Sequence, residues 1–258
     1  MAKCLILTER ITTNVKRMMR ELVTRNVEYV CLQPEKIILR GKQITNVDFV
    51  INTSENKKVF EFIDSKIKIF NNLDSVTKCN DKWLTYNALL PYNITQPFTS
   101  ETKDEFSYPF VVKDRRGSLG LRCYLVNNEE ELLEAESKMR DLPIYQEFIS
   151  SSYGICLKAM VIGGEVVCCV HKTADGFISN MSYGCTTIPY EVNEAQRAIC
   201  KKVAQTLNVD YCGIDLLFGK NNEPIVCEVN ANAIVGNIEK VTDFNVMGTY
   251  VDYILKSI

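Results

Sequence analysis

Short apolar runs alternate with segments of helical periodicity over the first seventy residues. Four largely apolar runs have the length of strands: residues 4–7, 29–32, 49–52 and 67–70. Between the first two, an amphipathic helix is indicated by the i, i+3, i+4 and i+7 spacing of Val15, Met18, Met19 and Leu22. Ser54 is a candidate N-cap for a helix that continues through Phe62. Strands that alternate with helices predict parallel βαβ units, so we expect a small Rossmann-like α/β domain over residues 1–74.

Beyond residue 74 the pattern changes to hairpins with interspersed helices. A helix is predicted over residues 75–90, and Pro91, Pro97 and Pro109 then mark a loop-rich connection. The remaining predicted elements are strands at 110–113, 121–126 and 144–149, helices at 129–139, 194–207 and 247–258, and hairpins at 155–172 and 211–230. The first of these hairpins turns at Gly163 and Gly164. We therefore expect an α+β organisation for residues 75–258.

Composition and charge narrow the class of protein. The chain has 30 Lys and Arg against 32 Asp and Glu, without a basic cluster, so a nucleic-acid partner is not expected. The apolar stretches are too interrupted to span a bilayer, and the apolar run at the N-terminus is too short for a signal peptide. Eleven cysteines without a CxxC pair, mostly within apolar strand-like runs, are typical of a reducing compartment. A cytoplasmic protein with no membrane partner is expected.

The scarcity of histidine limits the candidate chemistry. His171 is the only histidine, and no cysteine spacing resembles a zinc knuckle, so neither a zinc site nor Cys–His or Ser–His–Asp catalysis is expected. For His171 itself, a structural or solvated role and a direct catalytic role both stay open.

The most informative segment is residues 213–230. If the chain reverses at Asn221 and Asn222, Asp215 lies opposite Glu228, and Asn230 shares their face of the hairpin. The other face is apolar, with Ile214, Leu216, Phe218, Ile225, Cys227 and Val229. Two facing carboxylates need compensation, and oxygen ligands in small number favour Mg²⁺. The alternative is a pair of solvated acids on an exposed hairpin whose register is shifted by a longer turn.

A second cluster follows the strand predicted at residues 110–113. Lys113 ends that strand, and a turn containing Gly117, Ser118 and Gly120 leads into the next one. The sequence is not a Walker A loop, but such a turn can lie over phosphates and offer backbone N–H groups, with Lys113 as a point charge. The alternative is an ordinary turn between two strands.

Five segments together, in this order and approximate spacing, resemble the ATP-grasp ligases, most closely the RimK-type amino-acid ligases. They are Asp81-Lys82, Lys113 with its glycine turn, Gln146-Glu147-Phe148-Ile149, Gly213-Ile214-Asp215 and Glu228-Val229-Asn230. The resemblance covers residues 72–258. It implies an ATP-grasp fold over residues 75–258, in which two α+β subdomains (about 75–148 and 149–258) clasp ATP. The Rossmann-like residues 1–74 would be the family's pre-ATP-grasp domain.

The resemblance also implies a role for each matching residue. One or two Mg²⁺ ions, or Mn²⁺, would be held by Asp215, Glu228 and Asn230. The nucleotide would be bound by Lys82, Lys113, Gly117, Ser118, Gly120, Gln146, Glu147, Phe148, Ile149, Ser179 and Asn180. Lys158 would be catalytic, because it occupies the position of a basic residue that faces the reacting carboxylate. The alternative for Lys158 is a strand-edge lysine that shields the hairpin.

The implied activity is ligation of a carboxylate to an amine through an acyl phosphate, with release of ADP and phosphate. The expected substrates are a small-molecule or peptide carboxylate and an amine, or a carrier protein. Because members of the family commonly form dimers or tetramers, a homo-oligomer is also expected. The chain has Ile178 where the family has an arginine and Cys156 where an acidic residue is usual. These departures keep two alternatives open: a non-catalytic Mg-ATP-binding module and an ATP-grasp phosphotransferase.

Overall fold

The computed structural model describes residues 1–117, 120–178 and 184–258. Its amino-terminal sheet is parallel, with the order β2-β1-β3-β4, and consists of β1 (Lys3–Leu7), β2 (Glu28–Leu32), β3 (Phe49–Asn52) and β4 (Lys68–Phe70). The connections are α1 (Thr13–Thr24), α2 (Pro34–Arg40) and a 3₁₀ helix (Lys57–Phe62). The parallel pairing confirms the predicted βαβ units.

The predicted N-cap at Ser54 is wrong. The helix after β3 is the short 3₁₀ helix, and its cap is Asn56, whose side chain accepts a hydrogen bond from the backbone N–H of Lys58 at 3.2 Å. The hydroxyl of Ser54 donates instead to the carboxylate of Glu9. Ser54 therefore joins the loop after β3 to the loop after β1.

The single helix expected over residues 75–90 is two helices, α3 (Leu73–Cys79) and α4 (Lys82–Leu89). They are separated because Asp81 has an extended backbone and caps α4. Its carboxylate accepts hydrogen bonds from the backbone N–H groups of the second and third residues of that helix, at 3.1 and 3.0 Å. The cap also sets the position of Lys82, the first residue of α4.

Two antiparallel sheets follow. The smaller one has the order β5-β8-β6-β7 and consists of β5 (Thr99–Ser100), β6 (Phe110–Asp114), β7 (Cys123–Val126) and β8 (Pro143–Glu147). Helix α5 (Glu129–Ser137) buries Leu132 and Ala135 against this sheet. The larger one has the order β11-β10-β9-β12-β13 and consists of β9 (Ile155–Ile162), β10 (Glu165–Thr173), β11 (Thr186–Pro189), β12 (Tyr211–Phe218) and β13 (Pro224–Ala231).

Three helices complete the carboxyl-terminal half: α6 (Glu194–Leu207), α7 (Gly236–Thr242) and α8 (Val246–Ser257). Helix α6 has the predicted bounds, because its apolar stripe is framed by a capping box between Asn193 and Gln196 and by a left-handed C-cap at Asn208. None of the eleven cysteines, all of which lie in the described ranges, forms a disulfide. Within the described ranges, every helix is too short or too polar to traverse a bilayer.

The two faces of the five-stranded sheet have different surroundings. One face packs against α3, α4 and α6 with Leu157, Ala159, Val161, Ile214, Leu216 and Val229. At one end of the other face, an apolar core joins the sheet to α1, α7, α8 and the amino-terminal sheet through Met160, Ile162, Val170 and Tyr211. The opposite end of that face is polar, with Cys156, Lys158, Lys172, Asp215, Glu228 and Asn230. This polar end is called the charged cleft below.

Candidate active site

The facing carboxylates lie on the hairpin of β12 and β13. Asp215 is paired directly with Glu228, as predicted, and Asn230 lies two residues further along β13 on the same face. The turn is longer than predicted and spans residues 219–223. A bulge at Cys227 restores the register, so Asp215 and Glu228 still face each other.

The predicted apolar face of this hairpin is wrong on the turn side of the bulge. Beyond it, Leu216 is paired with Val226 and Leu217 with Ile225. Val226 therefore takes the core position that the sequence pattern assigned to its neighbours, and it is buried in the cluster beneath the sheet. Cys227 is the extra residue of the bulge, and burial raises the pKa of its thiol to about 11.

Asp215 is bound by two lysines. Its Oδ2 accepts a hydrogen bond from the Nζ of Lys158 at 2.8 Å, and its Oδ1 accepts one from the Nζ of Lys172 at 2.9 Å. Burial alone would raise the pKa of Asp215, but the two ammonium groups hold it well below its usual range. Burial likewise opposes the charge on Lys172, and the carboxylate of Asp215 raises the pKa of Lys172 above its ordinary value. Asp215 is thus a stable anion held between two cations.

Lys172 was missed by the sequence analysis because of a second bulge. A regular hairpin turning at Gly163 and Gly164 would place His171 on the face of Lys158 and would turn Lys172 away. In the structure the register of β9 and β10 shifts between Val166 and Cys168, and Lys158 is paired with Val170. The shift brings Lys172 into the charged cleft.

The same shift places His171 on the opposite face of the sheet. Its ring lies 6.0 Å from the rings of both Tyr190 and Phe218, centroid to centroid. His171 therefore packs among aromatic side chains and is separated by the sheet from Asp215.

Lys82 lies across the cleft from these strands. Its Nζ is 3.5 Å from the Oε1 of Glu228 and donates a hydrogen bond to the backbone carbonyl of Gly117. The cap residue Asp81 is itself fixed by the guanidinium of Arg115, at 2.7 Å. Burial alone would raise the pKa of Asp81, but the hydrogen bond from Arg115 lowers it below its usual range. The start of α4 thus holds an ammonium group between the turn after β6 and the facing carboxylates.

Lys113 is buried at the end of β6. Its Nζ donates a hydrogen bond to the Oε1 of Gln146 at 2.8 Å, and the amide of Gln146 donates to the Oγ1 of Thr99 at 2.9 Å. Burial opposes the charge on Lys113, but nearby negative charge, including that of Glu228 and Asp215, raises its pKa. The predicted strand lysine is therefore an interior ammonium group that faces the carboxylates.

The predicted hinge connects the two antiparallel sheets. The backbone N–H of Glu147 donates to the carbonyl of Phe98 at 2.8 Å, which secures the end of β8. Phe148 contacts the rings of Tyr153 and Phe177 edge-on, with centroids 6.3 and 5.9 Å apart. Ile149 precedes a 3₁₀ helix, Ser150–Ser152, that leads into β9. The segment is thus a short crossing lined by aromatic rings.

Part of the predicted glycine turn is described. The backbone N–H of Gly117 donates to the carbonyl of Asp114 at 3.2 Å, and Gly120 has a left-handed backbone (φ 69°). Ser118, Ser179 and Asn180 lie outside the described residues.

The family model of the RimK-like ATP-grasp domain matches residues 87–254. The chain belongs to this family. Curated relatives include N-acetylaspartylglutamate synthase A of Homo sapiens, which is 28% identical over an alignment of 202 residues; the match covers 72% of this chain and 52% of that protein. A probable alpha-L-glutamate ligase of Legionella pneumophila is 29% identical over an alignment of 197 residues; the match covers 70% of this chain and 65% of that protein. The chain thus spans between about half and two thirds of the length of these relatives.

Solved structures show the same fold along the whole chain. The ATP-grasp ligase PsnB, complexed with a minimal precursor, has a TM-score of 0.75 at 13% identity and covers 100% of both chains. The D-alanine–D-alanine ligase of Bacillus anthracis has a TM-score of 0.72 at 16% identity and covers 99% of this chain and 97% of that one. These similarities confirm the predicted ATP-grasp fold, with its mixture of α/β and α+β elements.

The charged cleft of this RimK-like protein fits a magnesium–nucleotide complex. Four ammonium groups surround two carboxylates, so the cleft has surplus positive charge, which suits phosphates. Among the described residues, no group of three or more His, Cys, Asp or Glu could hold a metal ion. Two carboxylates and one amide are a partial set of oxygen ligands, of the kind that Mg²⁺ completes with phosphate oxygens and water.

A cavity of about 230 Å³ lies beyond the charged cleft. One wall comes from the loop after β1 and the start of α1, and it includes Glu9, Arg10 and Asn14. The other wall includes Tyr211, on the strand that carries Asp215, and Asn232, two residues beyond Asn230. The cavity therefore lies where the amino-terminal sheet meets the two strands of the charged cleft.

Proposed function

We propose that this RimK-like protein is an ATP-dependent ligase that joins a carboxylate to an amine. The observation that carries the proposal is the charged cleft, in which four lysines surround the facing carboxylates Asp215 and Glu228 on an ATP-grasp scaffold. A carboxylate is a poor electrophile, so the reaction would proceed through an acyl phosphate formed with the γ-phosphate of ATP. The products would be an amide or peptide bond, ADP and phosphate.

The nucleotide and metal would be bound by groups on both sides of the cleft. One or two Mg²⁺ ions, or Mn²⁺, held by Asp215, Glu228 and Asn230, would neutralise charge on the phosphates. Lys82 and Lys113 would pair with the same phosphates and keep them in place during transfer. Lys82 extends from helix α4 and Lys113 from strand β6, so they would contact the phosphates from two directions.

The remaining predicted groups would bind and cover the nucleotide. Backbone groups of the hinge, residues 146–149, would bind the adenine edge, and Ser179 and Asn180 would also reach the nucleotide. The turn with Gly117, Ser118 and Gly120 would cover the phosphates and exclude water, which would otherwise hydrolyse the acyl phosphate.

Lys158 is the proposed catalytic residue. Attack of the amine on the acyl phosphate creates an oxyanion, and the ammonium group of Lys158 would stabilise that charge. Its position beside Asp215, at 2.8 Å, supports a place next to the transferred phosphate. The reaction needs no protein nucleophile, which agrees with the packing of His171 on the other face of the sheet.

Substrate class and location are part of the proposal. One relative is a probable glutamate ligase, and the structural neighbour PsnB is a ligase complexed with a precursor peptide, so an amino acid, a small peptide or a carrier protein is the expected acceptor. We propose that the cavity of about 230 Å³ receives one of the substrates, because it continues the line of Glu228, Asn230 and Asn232. Eleven cysteines without a disulfide support a reducing compartment such as the cytoplasm.

The decisive experiment measures ADP and phosphate released from Mg-ATP, with and without pools of amino acids, dicarboxylates and short peptides. Equal release of ADP and phosphate, stimulated by one pool, together with a new amide in the product, supports the ligase. ADP with a phosphorylated acceptor and no free phosphate would identify a phosphotransferase. Binding of Mg-ATP without release in any pool would identify a non-catalytic module.

Asp215→Asn tests the metal assignment in the same assay. The change keeps the size of the side chain and removes its charge, so we expect turnover to fall by more than the about 10–100-fold that loss of an outer-shell partner costs. Asp243→Asn is the matched control, because Asp243 caps α7 with a left-handed backbone that asparagine also adopts. Circular dichroism checks folding, and full activity in a folded Asp215→Asn variant would contradict the assignment.

A further inference from the structure

The facing carboxylates are already neutralised by lysines of this chain. Each oxygen of Asp215 carries its own ammonium group, from Lys158 at 2.8 Å and from Lys172 at 2.9 Å. Glu228 has Lys82 at 3.5 Å. A free divalent cation that approaches Asp215 therefore meets two positive charges before it reaches a free oxygen lone pair.

The two lysines on Asp215 differ in their surroundings. Lys158 is directly opposite Asp215 in the ladder between β9 and β12. Lys172 lies one strand further away, on β10, opposite Cys156, and its side chain is only 10% exposed. Among the described residues Asp215 is the only carboxylate paired with Lys172. Lys172 therefore has one ionic partner in the free protein, and that partner is a predicted metal ligand.

Phosphates change this balance of charge. When nucleotide phosphates enter the cleft, they offer the ammonium group of Lys172 a second anionic partner, and they bring oxygen ligands for the metal. The carboxylate of Asp215 can then share an oxygen with the metal, since each carboxylate oxygen has two lone pairs. A bare cation brings no anionic partner for the lysines, so it approaches the partly buried carboxylate of Asp215 against the repulsion of two ammonium groups.

We propose that Lys172 is a positioning residue. Its ammonium group prevents free divalent cations from binding to Asp215, and it allows the metal to bind there only together with nucleotide phosphates. The proposal rests on the proposed nucleotide site and goes beyond it, because it assigns Lys172 a role in the order of binding. It predicts opposite effects of one substitution on two affinities. A residue that merely supports the fold would not produce that pattern.

The test compares binding of Mn²⁺ alone with binding of ADP in the presence of Mg²⁺. Free Mn²⁺ is followed by electron paramagnetic resonance, and ADP by isothermal titration calorimetry, for the full chain and for Lys172→Met. Methionine has a similar length, and Asp215 keeps Lys158 as its partner, so the partly buried carboxylate is not left without a counter-charge. Lys201→Met is the matched control, because Lys201 pairs with Glu165 on the surface at 2.7 Å. Lys172→Arg keeps the positive charge.

We expect Lys172→Met to bind free Mn²⁺ about tenfold more tightly than the unmodified chain, because one of two repelling charges is gone. We expect it to bind Mg-ADP about tenfold more weakly, because a phosphate partner is lost. Lys201→Met leaves both affinities unchanged, and Lys172→Arg leaves the affinity for Mn²⁺ unchanged. Mn²⁺ binding that is equal or weaker in Lys172→Met, with the fold intact by circular dichroism, would overturn the proposal.

Failure of the nucleotide site gives a different result. If the unmodified chain binds no Mg-ADP, the proposed function is wrong, and the comparison of Mn²⁺ affinities still decides whether Lys172 blocks Asp215. If Lys172→Met does not fold, Lys172→Gln is measured in the same two assays, with the same expected signs.

Discussion

Lys113 is an ammonium group in the interior of the molecule. Its direct hydrogen-bond partner is the neutral amide of Gln146, while the carboxylates of Glu228 and Asp215 act on it from a greater distance. Burial of a charge without a carboxylate in contact costs free energy. A phosphate group in the cleft would supply the missing direct anionic partner.

We predict that Lys113→Met weakens nucleotide binding and leaves the chain folded. The affinity for Mg-ADP should fall by about tenfold or more, since a charge-assisted hydrogen bond to phosphate is lost. The free energy of unfolding should fall by about 1–3 kcal/mol, because the buried Oε1 of Gln146 loses its donor. Calorimetry and urea denaturation measure the two quantities. Lys220→Met, at the exposed turn after β12, is the control, and unchanged Mg-ADP affinity in Lys113→Met would show that Lys113 is structural.

At the scale of elements, capping and bulges decide which side chains reach the cleft. The extended backbone of Asp81 separates α3 from α4, and its side chain caps α4, which directs Lys82 towards Glu228. The bulge in β10 turns Lys172 towards Asp215, and the bulge in β13 keeps Glu228 opposite Asp215. Each bulge shifts the register of its strand by one residue, and the cap sets the residue at which α4 begins. These features therefore determine which charged side chains come into contact.

The cap of α4 gives a prediction for stability. Asp81→Asn keeps an oxygen for the helix cap but loses the charge that holds Arg115, so the free energy of unfolding at pH 7 should fall by about 1.5–3 kcal/mol. Because the pKa of Asp81 is lowered by folding, its contribution is present above its unfolded pKa of about 4 and is lost as the pH falls through its folded pKa.

Urea denaturation at several pH values measures this effect. The difference between the unmodified chain and Asp81→Asn should be constant near neutral pH and should narrow below about pH 4. The control is Asp74→Asn, whose exposed pair with Lys78 at 2.6 Å is expected to contribute about 0.5 kcal/mol or less. A difference between Asp81→Asn and the unmodified chain that grows as the pH falls would contradict the prediction.

At the scale of the whole molecule, one buried asparagine links the amino-terminal sheet to the strands of the cleft. Asn71 follows β4 and is fully buried with a left-handed backbone (φ 51°). Its Oδ1 accepts from the backbone N–H groups of Asp210 and Tyr211, at 3.0 and 2.9 Å. Its Nδ2 donates to the carbonyl of Tyr211 at 2.8 Å and to the Oδ1 of Asn232 at 3.0 Å. One side chain thus fixes the start of β12 and one wall of the cavity.

We predict that Asn71→Gly lowers the free energy of unfolding by about 2–4 kcal/mol, because buried backbone groups of Tyr211 lose their partners. Glycine accommodates the left-handed backbone, so the loss reports the hydrogen bonds and not backbone strain. Asn221→Gly, in the exposed turn between β12 and β13, should change stability by about 0.5 kcal/mol or less. Chemical denaturation measures both variants, and a loss no larger than that of the control would mean that the link is dispensable.

Local pattern determined most of the elements. The periodicity of apolar residues predicted the parallel amino-terminal units, both hairpins of the large sheet and the bounds of α6, because it depends on neighbouring residues alone. The order of the matching segments led to the ATP-grasp fold. The facing of Asp215 and Glu228 was also predicted correctly, but through a two-residue turn where the structure has a longer turn and a compensating bulge.

Only the tertiary structure decided how the charges are paired. The choice between His171 and Lys172 as the residue beside Asp215 depends on a bulge, and the position of a bulge follows from packing across several strands. The ammonium groups on Asp215 and Glu228 come from three different elements, so no local pattern in the chain specifies their meeting. The sequence by itself determined which chemical groups the cleft contains, whereas tertiary packing determined which of them touch, because contacts between distant segments depend on register and burial.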